Sequence, residues 1–441
     1  MIVLVAIVML FVVGAMAALS IDVVTLYTAR SEAQLAADGA ALAAARVLAN
    51  SGATSDQTGT LLTAATSSTG PAETIAVQVA IQNLVGGTNL TTSNVTVAFG
   101  GLTAPFTNPT VTVSVQASLP TFFARIWGST QVTVAASATA EAYNPTPASS
   151  STGGTTPLPV APICVKPWLL PNIDPNNPSN QIFDPTTGAI KDQSLLGWTS
   201  TASNTTRLSL ACPGGNCGGT LPPPSAWKFY PGDTTTTFQP IEAYPTCTPA
   251  LTTTYEQGVA GCVQTAIACN NPTAYFDTAD NFNRNKETTE AVNCLTHATN
   301  AGGGDTVTVN VVPPTTPIEF VAGDDNPFVL TGATSAGAYV MVSDSLVTVP
   351  VYNSNGNGPV NPLQIIGFVQ LFLNPDGQAT QTGFGQPNRY QMPTTIINMA
   401  GCGTSATAQP ILGNGASPVA VRLISPSSSS QVAGASFRKK P

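Results

Sequence analysis

Histidine, cysteine and carboxylate are the side chains here that could carry chemistry, and their spacing limits what that chemistry is. The single histidine, His297, stands near Cys294 and Asp305, a set that could ligate zinc. One imidazole builds no histidine-rich site, however, and a lone histidine is more often solvated or packed. CPGGNC, from Cys212 to Cys217, has one half of a zinc-knuckle spacing with no second half beside it, so it reads as a disulfide-closed loop. A serine hydrolase would need His297 as its base. The chain has neither a Gly-x-Ser-x-Gly elbow nor a Walker-type phosphate loop. Asp174, Asp184 and Asp192 lie in an Asn- and Pro-rich stretch, and Gly323-Asp324-Asp325-Asn326 forms another acidic turn. Calcium takes oxygens from such loops, but Asp and Asn are also ordinary turn formers. The expectation is a protein without enzymatic activity, metal or cofactor.

The cysteines point to cross-links instead. There are eight: Cys164, Cys212, Cys217, Cys247, Cys262, Cys269, Cys294 and Cys402. An even number in an oxidising compartment suggests disulfides. Cys247, Cys262, Cys269 and Cys294 are expected to pair among themselves or with Cys212 and Cys217. Cys164 and Cys402 flank the region, and a bridge between them would tie its ends. Eight cysteines allow 105 pairings, so connectivity stays open.

What must position these residues begins with the first twenty. Residues 1–20 carry no charge, and Asp22 is the first charged residue. As a helix they rise about 30 Å, the hydrocarbon thickness of a bilayer. A single retained span is expected. The rivals are a buried helix and a cleaved signal with Ala15-Met16-Ala17 as its small-residue site. A signal would usually carry a positive n-region and would not explain a helical pattern that continues. Arg30 is the first basic residue, so flanking charge orients the span weakly. The cysteines orient it better, placing the bulk of the chain in the periplasm or outside, beyond an inner-membrane anchor.

The helical pattern does continue. Leu19, Val23 and Leu26 lead into Ala33, Ala37, Ala40, Ala44 and Leu48 on one stripe, with Leu35 and Leu42 on a neighbouring face. Alanine favours helix, and Gly39 among alanines admits a close neighbour. Two readings stay open: the stripe packs on its own domain, or it packs with other helices in a bundle or filament. Asp22 could pair with a partner's basic group or a neighbouring subunit's N-terminus, or sit in the wet interface. Tyr27 and Arg30 suit interfacial anchors.

An apolar span followed by Ile21-Asp22-Val23, by Leu26-Tyr27-Thr28-Ala29-Arg30 and by QLAADGAALAAA from Gln34 to Ala45 resembles the N-terminal signature of TadG-like proteins of the TadE/TadG group. The resemblance covers roughly the first fifty residues. It marks Asp22, Tyr27, Arg30, Gln34, Asp38, Gly39 and Ala40 as family-motif and helix-packing positions. Residues 113–142 resemble the family's second part through TFFARIWG (Thr121 to Gly128), and residues 344–351 and 366–368 do so more loosely. The resemblance implies a membrane-anchored component of Tad/Flp pilus assembly or a related secretion apparatus, with other assembly components as partners. The basic residues usual before the family's span are absent here. So is the Asp-x-Ser-x-Ser motif of the von Willebrand A-type domain some relatives carry, and that metal site is not carried over.

The remainder is sparsely charged: 8 % against about 25 % in an average soluble domain. A net charge of −8 argues against a nucleic-acid surface. Plentiful Gly and Pro suit a turn-rich β architecture. In TGPAETIAVQVAIQNLVGG, Ile75, Val77, Val79 and Ile81 alternate as in a strand, but Pro71 and Glu73 suit a first helical turn and Gly86-Gly87 a C-terminal stop, so a helix is expected. Strands are expected at 94–99, 110–119 and 131–142, and a short amphipathic helix at 122–127. Further strands are expected in DTVTVNVV, AYVMVSDSLVTVPVY and LQIIGFVQLFL, and at 419–424.

The expected fold class is α+β. An anchor (1–20) leads into an Ala-rich helix and small pilin-like sheet (21–143). A Pro/Ser/Thr/Gly linker (144–162), a β-rich sandwich or jelly-roll-like domain (163–424) and a disordered tail (425–441) follow. The alternative function is a surface adhesin whose β domain binds an unidentified ligand.

Overall fold

The computed structural model describes residues 2–104, 108–146, 158–199, 208–211, 227–231, 250–261, 265–269, 285–297, 303–354, 363–374, 391–403, 409–412 and 417–424. Helix α1 (Ile2–Asn50) runs without a break. Nothing in it interrupts the hydrogen-bond ladder, since it holds no proline and its second half is largely alanine. Helices α2 (Thr60–Ala65) and α3 (Pro71–Ile81) follow. Proline at the first position of α3 gives up no bond there, and Glu73 lies in the positive first turn.

Strands β1 (Val95–Gly100), β2 (Thr110–Pro120) and β3 (Gln131–Tyr143) form an antiparallel sheet, as expected. On β2 the buried set is Val111, Val113, Val115, Ala117 and Leu119, one side of a period-two strand. That face receives the alanine stripe of α1, in one core with Ala72, Ala76 and Ala80 of α3. Small side chains let helix, helix and sheet approach closely.

Beyond this unit lies a seven-stranded sheet. From its middle strand to one edge run β4 (Trp168–Pro171), β5 (Leu346–Tyr352), β6 (Ile365–Leu373) and β7 (Thr394–Gly401), in that spatial order. The last three are buried along their whole length, so both faces are covered. β5 pairs with β4 in parallel and with β6 antiparallel. Another parallel ladder joins Leu208–Leu210 to Lys228–Pro231. The sheet is therefore mixed, whereas a sandwich or jelly roll is built from antiparallel ladders. Gly367 and Gly401 face each other across β6 and β7 and leave a slot for the Phe183 ring; a Cβ on Gly367 would lie 2.7 Å from Phe183 Cε2.

The stretch 338–352 does not form one strand. Tyr339–Val340 joins a three-stranded sheet with Thr306–Thr308 and Glu319–Val321, and Ser343 and Asp344 separate it from β5. Strand β8 (Ala420–Ile424) pairs antiparallel with β3, so it completes the first sheet rather than the large one.

A buried polar cluster joins the two regions where α1 ends. Asn398 Nδ2 donates to Ala49 O (2.7 Å) and to Gln370 Oε1 (2.6 Å), and Ser55 Oγ donates to Met399 O (3.1 Å). Asn144 Nδ2 donates to the same Met399 carbonyl at 3.0 Å, and Gly401 N donates to Thr146 Oγ1 at 2.7 Å. Of the segment expected as a linker, Asn144 and Thr146 are thus buried and hydrogen-bonded, and 147–157 lie outside the described residues. Residues 425–441 lie outside them too.

Candidate functional site: the Asp22 clamp and the N-terminal helix

Asp22 sits on α1 where the exposed apolar stretch ends, and its side chain is buried. The loop from β2 to β3 comes down against it. There the chain turns through a short 3-10 helix, Ala124–Trp127, closed by Gly128 in the left-handed region at φ 89°. The turn leaves backbone N–H groups unpaired at its start. Asp22 accepts them: Phe122 N to Oδ1 at 3.0 Å, Phe123 N to Oδ2 at 2.9 Å and Ala124 N to Oδ2 at 2.7 Å. Burial pushes the carboxyl up, but the three N–H donors and the nearby Arg125 outweigh it and hold it below the ordinary carboxylate value. Asp22 thus caps a turn roughly a hundred residues away. Its carboxylate oxygens are thus engaged by backbone donors of the same chain, an arrangement the sequence had not suggested. No sequence signal could reveal this, because backbone donors carry none.

The other motif residues separate into two groups. Ala40 is buried in the core, and a Cβ added at Gly39 would lie 3.9 Å from Val79 Cγ1 of α3. Gln34 Nε2 donates to Asp38 Oδ1 (2.8 Å) and to Ser137 O of β3 (3.2 Å), tying the helix to the sheet. These positions pack within the chain; of the two readings left open for the alanine stripe, the structure shows it packed on its own domain, against the chain's sheet and α3. Tyr27 and Arg30 are exposed, beside Val23 and Leu26 at a groove shared with Thr133–Ala135 of β3.

Among the described residues, α1 is the one helix long and apolar enough to cross a membrane. Its apolar window is exposed throughout, where the core helix of a soluble protein would be mostly buried.

Residues 1–47 match the Tad family, described as "Putative Flp pilus-assembly TadE/G-like". No curated protein and no solved structure matches the chain. The TadE/G-like segment therefore contains the apolar stretch, Asp22 and the alanine face, and it ends in the last turn of α1, just before the polar cluster.

Beyond the TadE/G-like segment, Cys269 is bonded to Cys402, with Cα atoms 6.3 Å apart and a sequence separation of 133. The expected bridge from Cys164 to Cys402 is therefore not formed, and Cys269 does not pair within its own neighbourhood. Packing explains the choice. Cys402 emerges at the end of β7 beside Val160 and Ile267, and Cys269 N donates to Val160 O at 3.2 Å. Cys164 and Cys294 are each also in a disulfide. Cys212, Cys217, Cys247 and Cys262 lie outside the described residues.

The groups weighed for zinc are otherwise engaged. Cys294 is in a disulfide, His297 Nε2 lies 3.2 Å from Asp344 Oδ2, and Asp305 accepts from Gly323 N, Asn326 Nδ2 and Ser343 Oγ. Asp344 raises the His297 imidazole above its usual value against the opposing effect of burial, with Asp325 and Asp305 adding to the rise. The carboxylates weighed for calcium close turns: Asp174 Oδ1 accepts from Asn176 N, Asp184 Oδ1 from Thr186 N and Thr187 N, and Asp192 Oδ1 from Ser194 N.

Proposed function

We propose that this protein is a non-enzymatic, membrane-anchored component of Tad/Flp pilus assembly or of a related secretion apparatus. The observation that carries this reading is one uninterrupted helix. Its TadE/G-like residues 1–47 pass from an exposed apolar stretch, through the Asp22 clamp, into the core of a folded sheet. A span so joined holds the rest of the chain at a fixed height above a bilayer. The disulfides support an oxidising compartment for that part, hence a single-pass inner-membrane anchor with the bulk of the chain outside the cytoplasm. Its partners are other pilus-assembly components. Because the alanine face is used internally, they meet this protein through exposed positions of α1 such as Tyr27 and Leu35, or through the β-rich region.

The test is fractionation of the native protein, N-terminal sequencing of its mature form, and counting of pili after deletion. Recovery from the membrane with residues 2–20 intact and loss of pili are expected. A soluble form beginning near Ala18, with pili intact and attachment reduced, would overturn the reading in favour of an adhesin.

A further inference from the structure

We propose that the loop between β2 and β3 is a second membrane contact, in which Phe122, Ile126 and Trp127 enter the interfacial layer of the bilayer. This rests on the reading of α1 as a span. All three side chains are exposed, Phe122 at 63 %, Ile126 at 70 % and Trp127 at 58 %, on a hairpin whose other large apolar residues are largely covered. Trp127 is the exception among the four tryptophans; Trp168, Trp198 and Trp227 are buried.

The position of the loop identifies what covers it. Ile126 and Trp127 line a groove of about 480 Å³ whose other wall is the apolar stretch itself: Ile7, Leu10, Phe11, Gly14, Ala15 and Ala18. The groove lies on the membrane side of Asp22. Gly14 is eight residues before Asp22, about 12 Å along the helix. Any bilayer that covers Leu10 and Phe11 therefore covers the loop tip as well. The Asp22 clamp fixes the loop at this depth. Composition fits the same environment. Residues 121–130 carry one cation, the exposed Arg125, and no anion, which suits a phosphate headgroup layer above an aromatic and aliphatic tip. Two contacts hold a sheet in one orientation to the bilayer, where one helix alone leaves it free to rotate about the helix axis.

The full chain is reconstituted into phosphatidylcholine vesicles at low protein density and floated, and its tryptophan emission is quenched with acyl-brominated phosphatidylcholine or with aqueous iodide. Trp127→Phe defines the Trp127 component. Brominated lipid is expected to remove most of that component and iodide little of it. Ile126→Glu should shift the component to the red and open it to iodide while the vesicles still float. Trp127 quenched by iodide but not by brominated lipid overturns the proposal, as does protection from both, which would mean that protein covers the tip. Failure to float overturns the span reading itself, and the loop proposal with it.

Discussion

Arg422 donates to Glu141 at 3.0 Å, directly opposite it on the antiparallel pair of β8 and β3. Glu141 is fully buried and Arg422 partly exposed, with its guanidinium 5.7 Å from the centre of the Tyr143 ring. This contact fastens the last described strand to the first sheet. Arg422→Met leaves a buried carboxylate without its cation, and should destabilise the protein by about 3 kcal/mol. Thermal unfolding of the detergent-solubilised chain measures this. Glu141→Gln, which keeps an acceptor, should cost less.

Asp22→Asn removes the charge that accepts from Phe122, Phe123 and Ala124. Hydrogen exchange at those three amides should speed up, while amides of β2 near Val113 stay protected. The pH dependence has a defined sign. The folded carboxyl is held below its unfolded value, near 4, so the clamp's contribution is present above that value. It is lost only as pH falls through the lower folded one. At about pH 5 the amides should remain protected in the wild type.

Asn398 stands where α1, the loop after it and β6 converge. Asn398→Leu keeps roughly the volume but takes away the donor to the buried Ala49 carbonyl and to Gln370, and the acceptor used by Ser55. Each unsatisfied group costs about 1–3 kcal/mol. A fall of at least about 2 kcal/mol in urea unfolding is expected. Loss of less than about 0.5 kcal/mol would mean that the cluster does not join the two regions.

His297 gives a second pH signature. Its folded value is raised, so its contribution is complete below the unfolded value of about 6.5 and is lost as pH rises through the folded one. The amide of Thr296, at the end of Asn285–Leu295, should exchange faster at pH 8 than at about pH 6 by more than the intrinsic rate difference. His297→Gln should abolish that excess.

Much of the first unit was legible in the chain. Alternating Val111, Val113 and Val115, the proline-led helix at 71 and the alanine stripe each follow one local period, and local period is what sequence displays. The β-rich half was less legible. β7 reads TTIINMAG, and its threonines and asparagine break the apolar run that marks a buried strand; the Thr395 hydroxyl and the Asn398 amide are buried there because other segments supply their partners. β4 is only four residues long and ends in proline. The helix Thr254–Ala260 did carry a readable signal, a capping box from Thr253 to Glu256. At the candidate site Asp22 stood out, as did TFFARIWG, yet nothing in either announces the other. Their link runs through backbone amides a hundred residues away.

The pairing of β8 with β3 also governs timing. Arg422 is made 281 residues after Glu141. In a chain that emerges N-terminus first, the sheet packed on α1 keeps an open edge while all of the β-rich region is being delivered. That edge is a ready acceptor for any other strand in the interval. The unit built on α1 is thus among the first to begin folding and among the last to finish, and β3 waits unpaired on that side until its own strand arrives.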